Sequence, residues 1–254
     1  MRSIPAKLVP MKRRTLIAAL ATLPFARALA VTPEWQARLI AGDFDGKDYL
    51  AGLYITLAPG WKTYWRVPGE TGIPPSIKLS GDNVESFEVL SPLPKRIIDE
   101  GGESVGFHDE VMFLLNIKPK DADKPVSAEI SAFFGVCLNI CKPAKFSGTV
   151  DLKPGINETA PLLAAWKSKL PVQSDFIAAA AQNNTELVLN LRQPLDDLFI
   201  EGPERLYFRK PVFSQGKAVL KIDGLQEGQK LTGLRLRVTA DAQGKGLEQT
   251  VVVA

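Results

Sequence analysis

The chain has 254 residues, 45% of them hydrophobic and 23% charged, with 20 Gly, 19 Pro, 2 Cys and 1 His. Those proportions exclude a disordered, collagen-like or disulfide-dense chain, and the length allows one large or two small domains, each with a core. A lone His108 excludes any site built on two histidines, such as the two-histidine zinc hydrolases.

The formal charge of +3 comes from the N-terminus. Residues 1–30 hold six basic residues (Arg2, Lys7, Lys12, Arg13, Arg14, Arg27) and no acid, which leaves 25 basic against 28 acidic residues in the remainder. A mildly acidic body argues against nucleic-acid binding. The leader reads as a signal peptide over residues 1–30. Lys12, Arg13 and Arg14 form its charged region, Leu16 to Phe25 its apolar core, and Ala28-Leu29-Ala30 a small-x-small cleavage site. Its apolar core is too short to span a bilayer. Met11 is the expected start, and the Arg13-Arg14 pair leaves the Sec and twin-arginine routes both open. The mature protein is therefore expected to be periplasmic, in an oxidising compartment, and not itself membrane-spanning.

The first part of the mature chain reads as β. Tyr49 to Leu57 is rich in β-branched and aromatic residues and ends at Pro59-Gly60. Val84 to Leu90 alternates and stops at Ser91-Pro92, while Val111 to Ile117 is almost continuously apolar, as a strand buried on both faces would be. Val126 to Val136 alternates and runs into the first cysteine, and Phe146 to Leu152 follows as another strand. Closely spaced turn residues suit a sandwich of antiparallel sheets.

The middle changes character. Glu158 to Lys169 and Ser174 to Gln182 are Ala-rich with apolar residues at helical spacing, and Asn157 and Ser174 offer caps. Short strand-like runs return at 186–191, 205–208, 218–222, 234–240 and 248–253. The expected organisation is a β-sandwich over 31–155, a helical connector over 156–182, and a smaller β-sandwich over 183–254.

Cys137 and Cys141 are the only cysteines. In an exported chain two thiols are expected to pair. Residues four apart in a straight strand lie about 13 Å apart, whereas a disulfide needs Cα atoms within about 7 Å. The chain must therefore turn between them, and Asn139 suits a turn. Closing so small a loop stabilises by only about 2 kcal/mol. That weakens a purely structural bridge and favours redox exchange, with Lys142 placed to stabilise a thiolate and Phe133, Phe134 and Phe146 near enough to shield the sulfurs. A soft-metal site of Cys137, Cys141 and His108 is the third reading on spacing alone. The residues supply no four-ligand zinc set and no Gly-rich phosphate loop, nucleophile elbow or paired carboxylates, so no cofactor is expected.

Four ordered segments carry a resemblance to a known family. They are Gly60-Trp61-Lys62-Thr63-Tyr64-Trp65-Arg66-Val67-Pro68-Gly69-Glu70-Thr71-Gly72-Ile73-Pro74, Ser91-Pro92 to Arg96, Gly106-Phe107-His108-Asp109-Glu110-Val111, and Val136-Cys137-Leu138-Asn139-Ile140-Cys141-Lys142-Pro143. Together, over about residues 34–155, they resemble the N-terminal periplasmic domain of the DsbD family of disulfide reductases, in its ScsB-like branch. A weaker similarity continues through Asp197 to Pro203 and Glu248 to Val251.

The resemblance implies an immunoglobulin-like β-sandwich with the cysteines on a hairpin. It also implies that Cys137 and Cys141 shuttle between dithiol and disulfide. Electrons would come from a membrane-embedded carrier and pass to a thioredoxin-fold periplasmic protein, so the chain would be one component of a protein-disulfide reductase. Lys142 departs from the branch, which has an apolar residue there. Full-length members continue into a membrane-spanning carrier and a thioredoxin-like domain, which makes a separately encoded carrier the expectation here. The alternative is a non-enzymatic binding or copper-tolerance module with a purely structural disulfide. Trp61, Tyr64 and Trp65 are expected to pack. Arg66, Glu70, Asp109, Glu110 and His108 are expected in structural or solvated roles.

Overall fold

Period-two burial dominates this chain, and β9 shows it most plainly: eight successive residues from Val126 alternate buried and exposed before the strand becomes wholly buried at its cysteine end. The computed structural model describes residues 33–69, 72–99, 102–153 and 160–254. The leader, Glu70, Asn157 and the start of the expected helix at 158–159 lie outside the described residues.

The first ten strands are β1 (Trp35–Phe44), β2 (Tyr49–Leu57), β3 (Lys62–Gly69), β4 (Ser76–Asp82), β5 (Val84–Leu90), β6 (Lys95–Asp99), β7 (Gly102–His108), β8 (Glu110–Pro119), β9 (Val126–Cys137) and β10 (Cys141–Leu152). Helix α1 (Ala160–Lys167) follows. Then come β11 (Val172–Gln173), β12 (Ile177–Asn183), β13 (Glu186–Leu191), β14 (Asp197–Glu201) and β15 (Tyr207–Phe208). The chain finishes with β16 (Val212–Ser214), β17 (Lys217–Asp223), β18 (Arg235–Ala242) and β19 (Lys245–Val252).

These strands form immunoglobulin-like sandwiches whose ladders are antiparallel except for the short parallel pairing of β11 with β19. One sheet has the order β1-β2-β8-β5 and faces a second of order β10-β9-β3-β7-β6, in which β4 also pairs with β9. Between them lie Leu53, Ile55, Val111 and Phe113 from the first sheet and Trp65, Phe107, Phe134 and Val136 from the second. A further cluster of Tyr49, Ala51, Leu115 and Ile117 packs against Val126, Ala128 and Ile130. The continuous apolar run of β8 has a physical cause. Its alternate residues Met112 and Leu114 point to the other face, where Leu163 and Trp166 of α1 cover them, so the strand is buried on both sides.

The remaining strands form sheets of order β11-β19-β18-β14 and β12-β13-β17-β15, the latter with β16 on β17. Their core is a separate cluster that includes Phe176, Leu187, Leu189, Leu198, Leu220, Leu236 and Val238. Among the described residues no sheet mixes strands from before and after α1.

One expectation fails here. Residues 174–182 are not helical: β12 occupies Ile177–Asn183 and pairs with β13. Alanine favours helix only weakly per residue, and here tertiary pairing wins. Gln249 Oε1 accepts the backbone N–H groups of Phe176 and Ile177, Ala180 bridges Val253, and Asn184 takes the left-handed conformation (φ 51°) that closes the hairpin. The second sandwich consequently begins before residue 183. The helical expectation survives only over α1.

Candidate functional site

β9 and β10 form a hairpin in continuous register from Val126↔Leu152 to Cys137↔Cys141. The two cysteines are thus directly opposite, with Leu138, Asn139 and Ile140 as the turn. Opposed residues in antiparallel strands have Cα atoms about 4.5–5.5 Å apart, inside the range that accommodates a disulfide. The turn demanded by the cysteine spacing exists. Asn139 makes it without left-handed geometry, since the residues other than glycine with positive φ lie elsewhere.

The hairpin end is asymmetric. Cys137 is buried and Cys141 half-buried. Leu138 and Ile140 project outward, with Ile140 75% exposed. A reactant from solvent meets Cys141 first.

On the other side of Cys137 lies β3, with Lys62 directly opposite it. The ammonium of Lys62 is buried and held by Asp99 Oδ2 at 2.6 Å and Ser104 Oγ at 3.1 Å. Two residues on, and so on the same face of the strand, Tyr64 places its hydroxyl 2.8 Å from Cys141 Sγ. The Tyr64 ring is fully buried in a slot made by two glycines. A Cβ on Gly72 would lie 2.7 Å from ring atom Cδ1, and one on Gly135 would lie 2.9 Å from Cδ2. The Gly135 N–H donates to Ile73 O and the Thr63 hydroxyl to Gly135 O, which ties the segment over the ring to β9.

The electrostatics follow from burial. Desolvation pushes the Cys137 thiol above its ordinary value, and its hydrogen bond with Cys141 adds to that; Tyr64 and Lys62 pull the other way. The Tyr64 phenol is driven far above the usual tyrosine range, chiefly by burial and then by its hydrogen bonds to the two sulfurs. It remains a protonated donor at any physiological pH and can donate to a thiolate on Cys141.

The other sequence candidates are dispersed. His108 is exposed on β7 with Nδ1 3.2 Å from Trp61 O. Lys62 separates it from Cys137, because β3 runs between the two strands. Among the described residues no group of three or more His, Cys, Asp or Glu converges as a metal site. Phe134 is turned into the core, edge-on to Trp35, and Phe133 is partly exposed. Tyr64, not a phenylalanine, is therefore the aromatic at the sulfurs. Lys142 ion-pairs with Glu34 and lies over the Trp61 ring. Arg66 reaches away to Glu201 and Glu248, Glu110 accepts from the Tyr54 hydroxyl, and Asp109 forms the β7–β8 turn with φ 62°. Sequence reasoning missed Lys62 and Tyr64 as site residues. Their i, i+2 spacing was the available signal, but it needed β3 to be recognised as a strand.

Residues 28–148 match the family described as "Thiol:disulfide interchange protein DsbD, N-terminal". Among solved structures, the N-terminal periplasmic domain of ScsB from Proteus mirabilis is similar at 24% identity and a TM-score of 0.72, covering 87% of this chain and 94% of that one. The reduced N-terminal domain of DsbD from Neisseria meningitidis is matched at 12% identity and a TM-score of 0.31, over 47% of this chain and 89% of that one. No curated protein matches. Among the described residues no helix is long and apolar enough to cross a membrane. The likeness to the DsbD N-terminal family thus spans residues 28–148, 121 of the 254 residues of this chain.

Proposed function

We propose that Cys137 and Cys141 are the working dithiol–disulfide pair of a periplasmic thiol–disulfide interchange protein. In this reading a membrane-embedded carrier supplies electrons and a thioredoxin-fold periplasmic protein receives them. The observation that carries it is the directly opposed pair at the hairpin end, with the Tyr64 hydroxyl on the more accessible sulfur. A bridge kept only for stability would need neither an accessible sulfur nor a buried phenol aimed at it.

The step is thiolate attack through a mixed disulfide. Cys141 Sγ, as thiolate, attacks one sulfur of the partner's disulfide. The partner's S–S bond breaks, an S–S bond to Cys141 forms, and the partner's other sulfur leaves as thiolate. Cys137 then loses its proton and attacks Cys141 Sγ, which closes the Cys137–Cys141 disulfide and releases the partner's second sulfur. Two electrons have passed to the partner; the proton lost by Cys137, and the one Cys141 gave up on becoming a thiolate, reach the partner's two sulfurs through solvent. Reduction by the carrier's dithiol runs the same steps in reverse. Tyr64 donates to the Cys141 sulfur whenever it is anionic, both as attacking group and as leaving group. Burial keeps Cys137 protonated until the mixed disulfide forms, which limits premature closure.

The sandwich of residues 31–155 is the exchange domain in this reading, joined through α1 to a second sandwich that begins at β11. Trapping tests it. A Cys137→Ser variant, unable to resolve the mixed disulfide, is expected to accumulate a covalent adduct through Cys141 with a thioredoxin-fold protein. The Cys141→Ser variant should accumulate none. Equal trapping by both variants, or by neither, would count against these roles.

A further inference from the structure

β3 carries Lys62 and Tyr64 to the cysteines, yet its own sheet holds it only up to that point. It pairs with β9 through Lys62 and Thr63 alone. On its other side, pairing with β7 runs to Tyr64↔Gly106 and resumes only at Gly69↔Ser104, so residues 65–68 face the single residue Val105. Immediately past Tyr64, therefore, no ladder fixes the strand.

The second sandwich holds it instead. Phe199, Thr239 and Glu248 stand in one cross-strand row on β14, β18 and β19. Phe199 meets the Trp65 ring edge-on at 5.9 Å. Arg66 stacks over that ring at 4.3 Å and reaches Glu201 at 2.6 Å, Glu248 at 3.1 Å and Thr239 Oγ1 at 3.4 Å. Glu248 is itself fixed by Gln173 and Arg237, each at 2.8 Å. A second anchor lies on β6, where Arg96 forks onto both oxygens of Asp197 at 2.9 Å and onto Leu198 O. These contacts are mostly buried, and buried ion pairs have a narrow range of workable geometries.

We propose that the second sandwich braces the exchange site, and that Arg66 is the positioning residue through which it holds Tyr64 against Cys141. The inference rests on the reading of Cys137 and Cys141 as the working pair. Release of Arg66 frees the unpaired stretch of β3, the phenol loses its place, and the Cys141 thiolate loses a donor.

The test is site-resolved alkylation of the reduced full-length protein with iodoacetamide at neutral pH, followed by mass spectrometry. Loss of a hydrogen bond to a charged group, partly offset by the greater nucleophilicity of a more basic thiolate, should slow Cys141 about fivefold in Arg66→Met. Tyr64→Phe should slow it equally, and the double variant should be no slower than either single one, because both remove the same interaction. Arg66→Lys, which keeps the charge, should recover most of the rate. The pair Glu201→Gln with Glu248→Gln leaves β3 untouched and should reproduce the slowing, so the proposal stays testable if Arg66→Met does not fold. Wild-type Cys141 rates in these variants despite lowered melting temperatures, or multiplicative effects of Arg66→Met and Tyr64→Phe, would overturn it. Alkylation needs no redox partner. Failure of the reduced wild-type pair to reduce thioredoxin-fold disulfides would instead remove the functional reading and leave the brace standing.

Discussion

The two sandwiches differ most in where their strands leave register. In the second, β18 and β19 pair through eight residues without a break, and β14 pairs with β18 through five. In the first, β3 departs from β7 with four residues set against one. Other ladders in the molecule slip by a single extra residue, as at Ile177/Ala179. The slot for Tyr64 opens at the wide break, beside the cysteine hairpin. Regular pairing builds stability in both halves; the proposed exchange site sits where one half gives up regularity and contacts from the other half lie close by.

The most direct way to break the comparison is to remove the reactive pair. Serine at Cys137 or Cys141 should abolish exchange in a coupled reduction assay. The fold should remain, because the bridge contributes only about 2 kcal/mol in the oxidised form. Loss of folding in both variants would turn the first sandwich into a stapled scaffold like any other.

Core truncations sharpen the contrast. Phe199→Ala removes the ring that backs Trp65 and should cost about 3–5 kcal/mol in denaturant unfolding. Leu220→Ala, in the second core, should cost about 2–5 kcal/mol. Only the first should also slow Cys141 alkylation. Gly135→Ala places a Cβ 2.8 Å from Ile73 Cβ and 2.9 Å from the Tyr64 ring. Overpacking of that kind should cost about 1–3 kcal/mol and displace the phenol, which an exchange assay would register as a slower rate.

The titration effects are smaller. The Cys137 thiol is raised by burial above its ordinary value of 9.0, so the folded protein holds that proton more tightly than the unfolded chain. Its contribution to stability is complete below the unfolded value and is lost as pH rises through the folded one. Reduced wild type should therefore lose melting temperature more steeply above pH 9 than reduced Cys137→Ser. In the first sandwich but away from the site, burial and then the bond to Glu110 push Tyr54 up to about 12. Glu110→Gln should lower that midpoint in an ultraviolet titration without changing exchange.

Much of the fold was legible because burial was periodic. The strands β2, β5, β8, β9 and β13 follow directly from alternation or from continuous apolar runs. β3 was not legible: Lys62, Thr63, Tyr64, Trp65 and Arg66 show no polar–apolar alternation, since Lys62 is buried by an ion pair and Arg66 by contacts with distant sequence. β12 was masked by alanine, whose helical preference yields to pairing with β13 and to the single bridge from Ala180 to Val253. At the site, the cysteines were visible as the only two in a chain whose first thirty residues read as an export signal. Tyr64 read as one more packing aromatic, because its place beside the sulfurs depends on a slot cut by Gly72, just past the end of β3, and by Gly135 on β9, which meet around the ring only in the folded chain. Arg66 and its partners were unreadable because Glu201, Thr239 and Glu248 lie 135, 173 and 182 positions further along the chain.

The reduction potential of the Cys137–Cys141 pair, measured by equilibrating the full-length protein against a series of thiol buffers, tests the exchange role most directly. A working pair should lie above about −300 mV and, once reduced, pass its electrons to the disulfide of a thioredoxin-fold protein. A potential below about −300 mV, in a pair that exchanges with no thioredoxin-fold disulfide, is the signature of a structural staple and would contradict it.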